Sequence, residues 1–98
     1  MSQGTLYRLA GGDVVCRIQV DLGADTPMIL CAPVVPQGLV GPLVPRLHLE
    51  LEVAGVPHVL LMSQMVAIPS RDLGTILGTV THLRDEIVAA VDLLVTGF

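Results

Sequence analysis

The side chains able to do chemistry are few and scattered. Arg46, His48, Glu50 and Glu52 alternate with Leu47, Leu49, Leu51 and Val53. On a strand, an imidazole and two carboxylates would therefore share one face. A carboxylate beside an imidazole can do acid/base work, but charges alternating with leucines also describe a solvated strand face, which is the reading adopted. Asp85 and Glu86 are neighbours, and adjacent residues on a helix point in different directions. His82 falls at a helix start, where a capping or ion-pairing role outweighs catalysis. Cys16 and Cys31 sit in apolar, strand-like segments and read as buried, reduced thiols. No Gly-rich phosphate loop, HExxH, GxSxG or CxxC occurs, and His48, His58 and His82 have no metal-ligand spacing. The sequence predicts no catalytic group, no metal and no cofactor.

The elements that would carry these residues are mostly strands. Residues 5–9 form a first short one, and Ala10-Gly11-Gly12-Asp13 has the chemistry of a tight hairpin turn. Cys16, Ile18, Val20 and Leu22 then share one face of a half-buried strand, with Arg17, Gln19 and Asp21 on the other. Asp25-Thr26-Pro27 breaks it. Residues 28–32 are continuously apolar and read as buried on both faces. Residues 33–45 hold four prolines and two glycines, which predicts a long irregular connection instead of a central strand. The alternation from Arg46 to Val53 is the clearest in the chain. After the turn Ala54-Gly55-Val56-Pro57, residues 58–68 return as one strand with both faces apolar, so one face should meet something beyond the protein's own core. Residues 69–74 are turn-rich, and residues 75–79 could make a last short strand. A helix follows, with Thr81 as N-cap, Asp85 and Glu86 near its positive end, and Leu83, Ile87, Ala90 or Val91, and Leu94 at helical spacing. Gly97 stops it. Five or six strands followed by one helix imply a strongly bent antiparallel sheet or open barrel with the terminal helix packed on it, residues 1–98 forming a single domain.

Composition narrows the function classes. The chain is 52% hydrophobic and 14% charged, which excludes disorder. With one Tyr, one Phe and no Trp, aliphatic side chains must fill the core. A net charge of −4, with five arginines and no lysine, supplies no basic surface for phosphates, so direct nucleic-acid binding is not expected. Apolar runs fall short of the ~20 residues that span a bilayer. The opening MSQGTLYRLAGG has no basic n-region or apolar h-region. The reading is a cytoplasmic protein without membrane contact.

The last twelve residues, IVAAVDLLVTGF, are apolar on nearly every side. Leu83, Ile87, Val91 and Leu94 can cover one stripe against the sheet, which leaves Val88, Leu93, Val95 and Phe98 on other faces. Such a surplus either marks a protein-binding surface or folds back into the domain. The segment HVLLMSQMVAIPSRDLGTILGTVTHLRDEIVAAVDLLVTGF resembles the C-terminal half of the CcdB family, the toxins of bacterial type II toxin–antitoxin modules. Met65-Val-Ala-Ile-Pro69 matches the family's M-x-x-[VI]-P; Leu73-Gly74, His82 and Gly97-Phe98 match in order and position; CRIQVDL, DTP and Pro33 match upstream.

The resemblance implies an SH3-like barrel of the CcdB/MazF type with one long terminal helix. It implies a homodimer that is no enzyme, but a topoisomerase poison that binds the A subunit of DNA gyrase and traps it with the DNA cut. A CcdA-like antitoxin, through a disordered tail that folds on binding, would neutralise it, as in plasmid-maintenance systems. By position, the gyrase-inserting tripeptide Trp-Gly-Ile of the family corresponds to Thr96, Gly97 and Phe98. The preceding Phe corresponds to Val95, a helical Asn to Asp92, and an apolar pair to Gly23 and Ala24. Thr96 has no π-face to stack on an arginine of the target. Two other readings therefore stand beside gyrase poisoning: a dimeric binding module of the same fold with a lost or altered target, and an endoribonuclease toxin of the MazF kind.

Overall fold

The computed structural model describes residues 2–24 and 26–97. Seven strands alternate with short turns and lead into one helix: β1 (Thr5–Arg8), β2 (Val14–Arg17), β3 (Met28–Pro36), β4 (His48–Val53), β5 (Val56–Leu61), β6 (Val66–Pro69), β7 (Ile76–Thr79) and α1 (Arg84–Thr96). All pairings are antiparallel, in the order β4-β5-β3-β2-β1-β7, with β6 also on β3. The sheet is a curled half-barrel, open between β4 and β7, and the terminal helix packs into its concave face.

Strand β3 is longer than its composition predicts, and it is central. It pairs β2 along one edge; along the other it pairs β6 through Met28–Cys31 and then β5 through Val34–Pro36. The expected irregular connection thus begins only after Pro36. Alternate residues of a strand turn their N–H groups to opposite edges. Leu30 accepts from the Ile18 N–H on the β2 side, so Pro33 faces the other edge, where β6 has ended and β5 has not begun. Pro36 faces the β2 side, beyond the first residue of β2. Both missing donors fall where no neighbour asks for one.

The Arg46–Val53 alternation is realised as written: Leu49, Leu51 and Val53 are buried, Glu50 and Glu52 exposed. A two-residue turn joins β4 to β5, with φ of 52° at Ala54 and 79° at Gly55. Positive φ at both central positions is the type I′ geometry that matches sheet twist. Residues 58–68 are not one strand. A 3-10 turn at Met62–Gln64 separates β5 from β6, so one apolar run serves two stretches of β3. Val59, Leu60, Leu61 and Met62 are all buried within the chain, so the second half of β5 is covered on both faces, while Val56 at its start is 52% exposed.

Both faces of the sheet are buried because its curl and its last strands enclose both. Leu6, Cys16, Ile18, Ala32, Val34 and Leu60 face the helix residues Ile87 and Ala90. On the other face Tyr7, Val15, Ile29 and Cys31 pack with Leu9, Ile68 and Leu73. This second cluster overturns the assignment of Arg17 to a solvated face: it lies opposite Cys31 and is 1% exposed. It also ends β2 at Arg17, leaving Val20 and Leu22 exposed where alternation put them inside. Residues 28–32 are not buried throughout either, since Met28 and Leu30 are exposed. A 3-10 turn at Thr81–Leu83 precedes the helix, and Thr81 makes no side-chain cap. Asp85 and Glu86 occupy the first helical turn as expected. No helix among the described residues is long and apolar enough to cross a membrane.

Cys16 and Cys31 are buried and free, on opposite faces of the sheet. Burial pushes Cys16 up to about 12, with Cys31 adding to the shift. Burial pushes Cys31 up to about 11, offset in part by the Arg17 guanidinium. A thiol with a raised folded-state pKa contributes stability that is complete below its ordinary value and lost as pH rises through the folded one. Stability measured by urea unfolding should therefore fall between about pH 9 and 12. A Cys16→Ala, Cys31→Ala variant should flatten that decline; an equal decline in the variant would assign it to other groups.

Candidate functional site

The first candidate cluster is already engaged in local structure. His48 Nδ1 accepts the Val44 N–H at 2.9 Å, which fixes the loop ahead of β4. Glu50 accepts from Gln37 at 3.2 Å, and Glu50 and Glu52 stand in solvent. His58 Nδ1 lies 2.8 Å from the Val56 carbonyl, which can only accept. His82, Asp85 and Glu86 are exposed around the helix start. Among the described residues no three His, Cys, Asp or Glu side chains converge on a metal position. This face has the geometry of a solvated strand.

The second candidate is the end of α1. Ile87 and Ala90 are buried and Leu83 and Val91 partly so, which anchors the first half of the helix. The anchoring stripe then runs out. Leu94, expected to continue it, is 42% exposed, and Val95 is 76% exposed. Asp92, Thr96 and Gly97 are exposed too. The Thr96 hydroxyl donates to the Asp92 carbonyl at 2.7 Å, one turn back in its own helix, while the residue stays exposed. Gly97 adopts the left-handed conformation, φ 81°, and its N–H donates to Leu93 O at 2.9 Å. Of the proposed contact residues, Asp92, Val95, Thr96 and Gly97 thus share one exposed helix end. Phe98 lies outside the described residues.

Gly23 and Ala24 sit in the β2–β3 loop and are exposed. Val20 and Asp21 of that loop line a cavity of about 380 Å³ with Arg84 and Ile87. Ile87 precedes Val95 by ~12 Å along the helix axis at 1.5 Å per residue. Sequence reasoning missed Val20 and Leu22 as surface groups; the signal available was the Asp21-Leu22-Gly23 turn chemistry that begins four residues after Arg17. It also missed an apolar groove of about 730 Å³ on the second face, lined by Leu9, Pro33, Val35, Val56, His58 and Val66 among others. That groove gathers residues from each of the strands β1 to β6, so no local pattern marks it.

A half-barrel whose terminal helix is anchored at its start and exposed at its end offers a binding surface. Over residues 7–97 the sequence matches the family described as CcdB protein. The chain therefore belongs to the CcdB family, and membership implies a CcdB-like toxin. None of the curated proteins compared with it matches.

If the helix end is a free surface, Gly97→Ala should cost only the left-handed strain of a non-glycine residue, ~1–2 kcal/mol. Urea denaturation measures this. A loss of 4 kcal/mol or more on the same scale would mean that the end packs into the core.

Proposed function

We propose that this protein is a cytoplasmic toxin of a type II toxin–antitoxin module, acting as a homodimer on the A subunit of DNA gyrase. It holds gyrase on cut DNA by binding and catalyses nothing itself. The observation that carries the reading is family membership over residues 7–97, joined to a helix end left uncovered at Leu94, Val95, Thr96 and Gly97. Val95 and Phe98 supply apolar contact, Gly97 lets the chain turn away from the helix, and Asp92 offers a carboxylate to a basic partner group.

Met28, Leu30 and Ala67 form an exposed apolar strip shared by β3 and β6, which supports a second copy of the chain as its cover. The second-face groove, apolar and rimmed by Arg8, Asp13 and His58, suits an extended apolar segment of a CcdA-like antitoxin. Acidic net charge argues against direct binding of nucleic acid by the toxin alone.

One observation favours a second reading, an altered target on the same fold. The Thr96 hydroxyl is spent on the Asp92 carbonyl, and a threonine cannot stack on a guanidinium as an indole can.

Purified protein should increase the amount of cleaved DNA in a gyrase reaction. Its toxicity in cells should be relieved by mutation of the gyrase A subunit. Deletion of Gly97 and Phe98 should abolish both effects while leaving dimer mass and thermal melt nearly unchanged. Toxicity that persists in gyrase mutants would move the assignment to another target.

A further inference from the structure

We propose that the free edge of β4 is a docking site for an extended basic segment of a partner protein, which adds to the sheet as one more antiparallel strand. The site is separate from the helix end and does not rest on the target named above.

β4 pairs with β5 alone, so one of its edges has no neighbour. Two bonds fix which groups lie on that edge. Leu47 O accepts the Met62 N–H at 3.0 Å on the β5 side, and the His48 N–H donates to Val44 O at 3.0 Å on the other. Alternate residues turn their backbone groups to opposite edges. Leu49, Leu51 and Val53 therefore bond to β5, in keeping with the Val53–Val56 pair that closes the two-residue turn. Glu50 and Glu52 aim their N–H and C=O groups outward. The His48 N–H is spent on the loop, but these four groups meet no partner among the described residues. Arg46, the first charge of the alternation, lies before β4 with a φ of 72° and is no part of the edge.

A row of unpaired backbone groups is a template for another strand. The side chains decide which strand fits. Glu50 and Glu52 are exposed on one face, while Leu49, Leu51 and Val53 bound the core on the other. A second copy of β4 laid antiparallel along this edge would set carboxylate against carboxylate, which is destabilising. A strand with arginine or lysine at alternate positions sets opposite charges across both pairs instead. Its intervening apolar residues would fall on the face of Leu49, Leu51 and Val53 and extend the core. Gln37 donates to Glu50 Oε1 at 3.2 Å, and a neutral donor leaves that carboxylate its charge. The net charge of −4, without a lysine, draws a basic segment in from a distance.

The test uses the full chain and a short synthetic peptide that alternates arginine with valine. In the free protein the Glu50 and Glu52 amides should exchange hydrogen much faster than those of Leu49 and Leu51. Bound peptide should slow the Glu50 and Glu52 amides. The double variant Glu50→Gln, Glu52→Gln should weaken binding by roughly fivefold, the scale of two exposed ion pairs. A peptide N-methylated at alternate residues, so that it cannot bond to the edge, should not bind. Nor should the unmodified peptide bind Glu52→Pro, which lacks an outward N–H but keeps its bonds to β5. Should Glu52→Pro fail to fold, the N-methylated peptide supplies the same comparison. Deletion of Gly97 and Phe98 should leave peptide affinity unchanged. No binding to the unmodified chain, binding that leaves the Glu50 and Glu52 amides unprotected, or equal binding of the N-methylated peptide would overturn the proposal. A loss of affinity on the terminal deletion would place the peptide at the helix end and overturn it too. So would protection of both amides in the free protein that is lost on dilution, because a second copy would then already cover the edge.

Discussion

Everything in this fold depends on β3 being paired along both edges and packed on both faces. Its nine residues serve β2 on one side and β6 then β5 on the other. Because the second edge is shared in succession, the sheet must bend where one partner hands over to the next. The bend lets Ala32 and Val34 face the helix while Ile29 and Cys31 face the second cluster. Two prolines are tolerated within such a strand only because their absent donors coincide with gaps in the pairing.

Function follows from what this packing leaves over. The core takes Ile87 and Ala90 from the first half of α1, and the helix outlasts the sheet it lies on. Its last turn is therefore held rigidly at one end and is bare at the other. A rigid, apolar, exposed helix end presents contact area without first having to be ordered, which favours binding. In the reading proposed above, the end of α1 is where this CcdB-family chain meets its target.

The departures from the family pattern lie in the helix end and the β2–β3 loop and not in the framework. Thr96 closes a hydrogen bond with its own helix, and Gly23 and Ala24 carry little or no side chain. Of the apolar groups this chain does expose, Val95 stands on one of those positions, while Val20, Leu22 and Leu94 only stand near them. A fold kept by core packing permits such drift, since an exposed position is free of the volume constraints that bind the interior.

Much of the architecture was legible in the sequence. The β4 alternation, the Ala54-Gly55 turn, the helix from Asp85 and Glu86 to its Gly97 stop, and the buried thiols all follow from local period, turn chemistry and apolar context. The surplus of apolar side chains beyond one stripe left open whether the helix end is exposed or folds back, and the structure leaves Leu94 and Val95 exposed. Only the tertiary structure decided that residues 33–36 extend a central strand, that residues 58–68 divide into two, and that Arg17 is interior. Each of these turns on which strand lies across the sheet, and a strand's edge and far face are supplied by residues distant in sequence. Local periodicity reports what one segment can bury; whether a neighbour arrives to bury it, as at Arg17, or fails to, as at Leu22 and Leu94, is settled by the curl of the whole sheet.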